Sequence, residues 1–161
     1  MKLSLFADAD YAVRCNDRHS VSSVAVMLGD SAVSASSTMQ HCVTLSTCEA
    51  EYVAMARGPK IALEIKAVSD FVQPHLSGCV INMYEDNEAA KALDEKPQGS
   101  HRSKYIDLRY YFLRRLLRLE QVVVHSVALA EQHVDNLTKP LGCGAFRRHR
   151  DFLTNLLRVF D

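Results

Sequence analysis

The chain has 161 residues, of which 48% are hydrophobic, and its 19 basic and 19 acidic residues give a formal net charge of zero. This length suits one substantial core, so we expect a single domain over residues 1–161, and the zero net charge argues against binding to polyanions through overall charge. The five cysteines include no C-x-x-C pair and no apolar stretch could serve as a signal peptide or membrane span, so we expect a soluble protein that is not secreted.

Alternation of apolar and polar residues predicts three short strands in the first part of the chain. They cover residues 2–7, 22–28 and 32–36, with a turn at Gly29-Asp30 between the last two. From Ser46 the pattern changes to helical spacing, and Ser46 and Glu49 form a capping box that begins a helix. Gly58-Pro59 should break this helix, so a second helical run is expected over residues 60–73.

The second part of the chain alternates between predicted strands and helices. The strands are 79–84 and 122–127, the helices are 88–93, 106–117, 130–138 and 145–159, and a loop covers 97–100. Together the elements predict an α/β fold with a mixed five-stranded sheet flanked by helices. Ligands of such open sheets usually bind near the carboxyl ends of strands.

Carboxylates occupy the ends of two predicted strands. Asp8 follows the first strand, and Asp86 ends the strand that begins at residue 79. Both therefore lie where a ligand is expected. Asp10 competes with Asp8 for this role, because residues two apart on a strand face the same way and periodicity does not separate them.

Two further acids, Glu49 and Glu51, lie near the start of the first predicted helix. Residues two apart on a helix point to opposite faces. Glu49 is the third residue of the capping box, and its carboxylate is expected to reach back to the backbone of Ser46. Glu51 shares its stripe with Ala54, so we expect a half-buried carboxylate that needs a partner such as a divalent cation.

The fourth acid of interest, Asp135, lies in a polar helical stretch, and its spacing alone is typical of a solvated surface acid. Four carboxylates suit phosphodiester hydrolysis by two Mg²⁺ ions, one activating water and the other stabilising the leaving oxygen. Because the ions cancel the mutual repulsion of the carboxylates, such a cluster should be unstable without metal.

Five sequence blocks occur in order along the chain. They are D-A-D-Y-A from Asp8, L-S-T-C-E-A-E-Y-V-A from Leu45, E-D-N from Glu85, S-K-Y-I-D-L-R-Y-Y-F from Ser103 and D-N-L-T-K-P-L from Asp135. Together they strongly resemble the ribonuclease H domain at the end of copia-type retrotransposon polyproteins. The resemblance runs over nearly the whole chain and implies a ribonuclease H-like fold, with hydrolysis of the RNA strand of RNA–DNA hybrids.

The same resemblance implies a catalytic quartet that holds two Mg²⁺ or Mn²⁺ ions per site. Carried over block by block, these catalytic and metal-binding residues are Asp8, Glu51, Asp86 and Asp135. The resemblance thus favours Asp8 over Asp10 and agrees with the helix-face argument for Glu51. It implies an RNA–DNA hybrid as substrate, an upstream reverse transcriptase domain of the same polyprotein as partner, and location in a cytoplasmic retroelement particle or the nucleus.

The chain departs from the family pattern at several positions. Tyr11 and Ala35 stand where the family usually has Trp, the turn at residues 18–23 lacks its usual Gly, and Tyr105 replaces a His. An Ala in place of a core Trp is expected to cost about 3 to 5 kcal/mol if nothing refills the space. These losses motivate the alternative of a diverged or domesticated module that binds nucleic acid or a protein partner without turnover. An integrase-type nuclease ranks last, since its other motifs are absent.

A basic segment is expected to hold the substrate. Six basic residues lie between Arg102 and Arg118 against the single acid Asp107, with aromatic residues interleaved. Contacts to sugar and phosphate are what a sequence-independent nuclease requires. The expected substrate-binding residues are Asn87, Arg102, Lys104 and Arg109. The same pattern is equally expected of a solvated amphipathic helix whose aromatic residues belong to the core.

Overall fold

The computed structural model describes residues 2–13, 18–86 and 104–155; the side chains of residues 76, 86 and 104–107 are not part of this description. The strands are β1 Leu3–Asp10, β2 Val21–Leu28, β3 Ser31–Met39, β4 Ile81–Asp86 and β5 Val122–Val127. The helices are α1 Thr47–Val72, α2 Lys104–Arg118, α3 Asp135–Thr138 and α4 Cys143–Thr154, with 3-10 turns at Pro74–Leu76 and Leu129–Glu131. No helix in these ranges is both long and apolar enough to cross a membrane.

The five strands form one mixed sheet in the order β3-β2-β1-β4-β5. The first three strands are antiparallel neighbours, joined between β2 and β3 by a turn in which Gly29 has a φ of 64°. β4 runs parallel to β1, and β5 runs parallel to β4. The predicted α/β fold with a mixed five-stranded sheet is confirmed.

The two faces of the sheet carry separate apolar clusters. Alternate residues of a strand point to opposite faces, so Leu5 of β1 packs with α1 and α2 while Phe6 packs on the other side. There Phe6 contacts the cluster that contains Val134 and Leu153 of the C-terminal part. The central strands β1 and β2 are therefore covered on both faces.

The prediction that Gly58-Pro59 breaks the first helix is wrong. α1 continues through both residues, which are buried. Proline cannot donate a backbone hydrogen bond inside a helix, but the segment gains tertiary contacts if it stays helical. Gly58 packs so closely on β1 that a Cβ added there would lie 2.9 Å from Leu5 Cδ1. We attribute the continuous helix to this close packing, which outweighs the local breaking signal.

Other predicted elements differ at their ends. The predicted helix 130–138 is a 3-10 turn followed by the four-residue helix α3. The backbone of Gln132 is not helical, with a ψ of 87°, and its side-chain amide donates to the backbone of Ala7.

Ala35 is exposed on β3, so its replacement of a Trp does not leave the core cavity that we expected. The predicted helix 88–93 and loop 97–100 lie outside the described residues.

Candidate active site

Asp8 is a buried acid near the end of β1. The residue is only 6% exposed, and on β2 its partner in the register is Ser23. Thr138 donates its hydroxyl to Asp8 Oδ2 at 2.7 Å, and Lys139 Nζ lies 3.4 Å from the same oxygen. A buried carboxylate requires such partners, and both come from the end of α3.

Asp135 begins α3 and is also buried, at 7% exposure. Lys139 donates its ammonium to Asp135 Oδ1 at 3.2 Å, so one cation contacts both carboxylates. Burial raises the pKa of Asp135, the negative charge of Asp8 raises it further, and Lys139 opposes both. Burial lowers the pKa of Lys139, but the carboxylates of Asp8 and Asp135 more than offset this, so it is raised.

Asp10 ends β1 beside this pair. Its pKa is raised, chiefly by burial, while Lys139 lowers it and Asp8 raises it. Asp10 is thus close enough to Asp8 and Lys139 for its pKa to depend on their charges. Unlike Asp8, it has no hydrogen bond from Thr138, whose hydroxyl is directed to Asp8.

Asp86 is the last residue of β4. In the parallel register Phe6 of β1 pairs with Tyr84 of β4, and two residues further along each strand lie Asp8 and Asp86. Both acids therefore lie near the carboxyl ends of adjacent strands, where a ligand was expected. The side chain of Asp86 is outside the described part of the structure.

Glu51 lies in the second turn of α1 and is half-buried, as its helix face predicted. The start of this helix is tied to the sheet by Gln40, whose amide donates to the backbone oxygen of Ala50 at 2.8 Å and to Ser22 Oγ at 2.8 Å. Ser22 is the register partner of Ala9, one residue after Asp8. The helix start is therefore held near the end of β1 on the face opposite α3.

Glu49 has the capping role that the sequence indicated, with a different partner. Ser46 Oγ accepts a hydrogen bond from the backbone of Glu49 at 3.2 Å, as in a capping box. The Glu49 carboxylate accepts instead from the backbone of Leu45 at 2.7 Å, one residue before the expected Ser46. Its carboxylate is thus occupied by the backbone that precedes the helix.

The donors around α3 fit a hard divalent cation. Asp8 and Asp135 offer oxygen ligands from a buried position, and the pKa of Asp135 is raised by this burial first and by the negative charge of Asp8 second. Among the described side chains, which do not include that of Asp86, no group of three His, Cys, Asp or Glu residues is arranged to hold a metal. Asp8 and Asp135 are the two members of the predicted quartet that the described contacts bring together, through Lys139.

The expected substrate-binding residues are only partly described. Asn87 and Arg102 lie outside the described residues, and Lys104 begins α2 without a described side chain. Arg109 is half-buried and donates Nη1 to Cys42 Sγ at 3.3 Å.

Arg109 also lines a cavity of about 170 Å³ together with His41, Arg57 and Lys60, and no acidic residue is among the described residues that line it. We call these four residues the basic pocket. It concentrates positive charge in a chain whose formal net charge is zero.

The aromatic residues of α2 divide between core and surface. Tyr110 is buried against Tyr52 of α1, with ring centroids 5.2 Å apart, while Tyr111 is exposed. Arg114 lies over the Tyr110 ring, 4.4 Å from its centroid. One tyrosine of this amphipathic segment therefore belongs to the core, and its neighbour faces solvent.

Two histidines pack behind α3. A hydrogen bond joins His149 Nδ1 and His133 Nδ1 at 3.3 Å, and the His133 ring stacks on Phe152 with centroids 3.5 Å apart. Burial lowers the pKa of His133 to about 4, with smaller contributions from His149 and Arg148. His133 is thus a packed, neutral side chain at neutral pH.

Two site residues were not singled out from the sequence. Thr138 and Lys139 contact the acidic pair directly, although neither residue is itself a carboxylate. The signal was present, because both lie in the D-N-L-T-K-P-L block that begins at Asp135.

No family model matches the chain. Individual known proteins are similar to it. The chain is 31% identical over 134 residues, or 83% of its length, to the retrovirus-related Pol polyprotein from transposon TNT 1-94 of Nicotiana tabacum. It is 33% identical over 147 residues to that from transposon RE2 of Arabidopsis thaliana, covering 91% of the chain. The chain spans only 10% of the length of each polyprotein.

Solved structures share the fold. An N-terminal ribonuclease H domain from Mycobacterium tuberculosis matches with a TM-score of 0.56 and 14% identity, over 83% of this chain and 92% of that one. The LC11-RNase H1 in complex with an RNA/DNA hybrid matches with a TM-score of 0.56 and 14% identity, over 84% of this chain and 93% of that one.

The fold is therefore that of ribonuclease H. The chain belongs with the retrovirus-related Pol polyproteins of plant transposons, to one segment of which it is similar over most of its length, and the resemblance seen in the sequence blocks is confirmed.

Proposed function

We propose that the chain is a metal-dependent endonuclease that hydrolyses the RNA strand of RNA–DNA hybrids. The observation that carries the proposal is the buried pair of Asp8 and Asp135 near the end of β1, with Asp86 at the end of the adjacent strand β4. Buried acids without enough compensating charge are costly unless a cation joins them. The ribonuclease H fold and the relation to Pol polyproteins support the same assignment.

In this proposal Asp8, Glu51, Asp86 and Asp135 hold two Mg²⁺ or Mn²⁺ ions. Bound ions of this kind activate a water and stabilise the leaving oxygen of a phosphodiester. The chain itself fixes the ligands: Thr138 orients the Asp8 carboxylate by its hydrogen bond, and Gln40 anchors the start of the helix that carries Glu51. We further propose an upstream reverse transcriptase domain as partner, in keeping with the Pol polyproteins.

The basic pocket is the proposed contact for the nucleic acid. The LC11-RNase H1 was crystallised with an RNA/DNA hybrid, which supports a hybrid as the substrate of this fold. Cations with no acidic side chain among the described residues of the pocket suit sugar–phosphate contacts, which confer no sequence preference. Arg109→Gln should weaken hybrid binding and flatten its dependence on salt, whereas Arg118→Gln at the other end of α2 should change binding less.

Cleavage of a hybrid with labelled RNA, in Mg²⁺ and separately in Mn²⁺, tests the enzyme. Asp8→Asn and Asp86→Asn should abolish cleavage while leaving hybrid binding intact. Asp70→Asn is the control, since Asp70 pairs with Lys66 at the far end of α1 and should leave the rate unchanged. Equal cleavage by the wild-type chain and Asp86→Asn would rule out the proposal. Tight hybrid binding without cleavage in either metal would support the alternative of a binding module without turnover.

A further inference from the structure

Lys139 occupies a position between the two buried carboxylates of the site. Its Nζ lies 3.2 Å from Asp135 Oδ1 and 3.4 Å from Asp8 Oδ2. It follows directly on α3, so the same short segment supplies Asp135, the Thr138 hydroxyl that binds Asp8, and the ammonium. About a third of the Lys139 side chain is exposed, whereas both carboxylates are almost fully buried.

This arrangement has an electrostatic consequence for metal binding. An ammonium within ion-pair distance of both acids compensates their repulsion when no divalent cation is bound. A divalent cation that uses the same two carboxylates meets a positive charge already in place, and like charges at such distances repel strongly in a partly buried site. Lysine has a flexible four-carbon stem, and the partial exposure of Lys139 leaves its head group a path towards solvent.

We propose that Lys139 is a positioning residue that serves as an internal counter-ion: it holds Asp8 and Asp135 together in the metal-free chain and is displaced by the first metal ion. The inference rests on the proposed function, because it presumes that these two acids are metal ligands. It assigns Lys139 two opposite effects. The ammonium stabilises the metal-free fold, and it weakens the affinity of the site for metal.

Lys139→Gln tests both effects, with Lys66→Gln as a matched control. Lys66 also forms an ion pair with an acid four residues away, at 2.6 Å from Asp70, but far from the site. In EDTA, Lys139→Gln should lower the Tm by several degrees more than Lys66→Gln does, and Mn²⁺ should restore most of the difference. The Mn²⁺ dissociation constant, measured by calorimetry without nucleic acid, should fall about tenfold in Lys139→Gln and stay unchanged in Lys66→Gln and Lys139→Arg.

Unchanged or weaker Mn²⁺ binding by Lys139→Gln would overturn the inference, as would a Tm in EDTA no lower than that of Lys66→Gln. If Lys139→Gln does not fold in EDTA, refolding on addition of Mn²⁺ is the expected result. A failure to fold with and without Mn²⁺ would count against displacement of the lysine.

A measurement on the wild-type chain does not depend on that variant. The ammonium NMR signal of Lys139, assigned by its loss in Lys139→Arg, should move on addition of Mg²⁺ while that of Lys66 does not. An unmoved Lys139 signal under Mg²⁺ saturation overturns the inference. The two proposals fail differently: equal metal affinity of wild type and variant rejects only the role of Lys139, whereas no metal binding by either rejects the proposed metal site itself.

Discussion

The close packing of Gly58 on Leu5 predicts that Gly58→Ala destabilises the fold, although alanine is the better helix former. A Cβ at this position would lie 2.9 Å, 3.0 Å and 3.3 Å from three atoms of the Leu5 side chain. Leu5 is completely buried in the main cluster, so its side chain has little room to retreat. Overpacking of this kind lowers the free energy of unfolding by about 1–3 kcal/mol, whereas replacing Gly by Ala inside a helix raises it by about 1 kcal/mol.

Urea unfolding of Gly58→Ala and Gly144→Ala separates the two effects. A Cβ at Gly144, in the first turn of α4, meets no atom within 4 Å among those described, so this control measures the helix preference alone. We expect Gly144→Ala to be neutral or up to about 1 kcal/mol more stable. Gly58→Ala should be about 1–3 kcal/mol less stable than that control. If the two variants are equally stable, close packing on Leu5 does not explain why α1 continues through Pro59.

Three further predictions concern stability. The pKa of about 4 for folded His133 lies below its usual 6.5, so only the unfolded chain takes up this proton as pH falls from 6.5 to 4. His133 alone should therefore lower the free energy of unfolding by at most about 1.4 kcal/mol for each unit that the pH falls in this window. Urea titrations at several pH values should show a weaker pH dependence in His133→Phe than in the wild-type chain, and parallel curves would refute the assignment. Gln132→Ala removes hydrogen bonds to Ala7 O and to the buried Glu85 carboxylate, so chemical denaturation should show a loss of about 2–4 kcal/mol, and a loss below 1 kcal/mol would contradict this. Ala35→Trp should change the free energy of unfolding by less than about 0.5 kcal/mol because residue 35 is exposed, whereas a gain of 3 kcal/mol would restore the idea of a missing core residue.

The fold was largely accessible from the sequence because strands and helices have distinct periods. The strand Val122–Val127 and the turn at Gly29 were predicted where the structure has them. The error at Gly58-Pro59 has a physical origin, since residue preferences act locally while the packing on Leu5 involves a strand distant in the sequence. The exposure of Ala35 likewise could not be predicted from the sequence, because it depends on which face of the edge strand β3 is covered.

The site was less accessible than the fold. Strand ends indicated Asp8 and Asp86, and helix geometry indicated a half-buried Glu51, but spacing gave no reason to bring Asp135 to Asp8. Their proximity results from the path of the chain after β5, which no periodicity encodes. Lys139 was overlooked for a related reason, since a lone surface lysine acquires its role only when two acids surround it.

The segment from Asp135 to Lys139 supplies three groups of the site within little more than one helical turn. The directions of these groups around the helix axis are therefore fixed relative to one another. Each residue added to a helix rotates those beyond it by about 100°. One inserted residue would turn the Thr138 hydroxyl and the ammonium away from Asp8 while leaving every side chain of the segment present. Substitutions can therefore adjust the members of this segment one at a time, whereas a change in its length alters all of them at once.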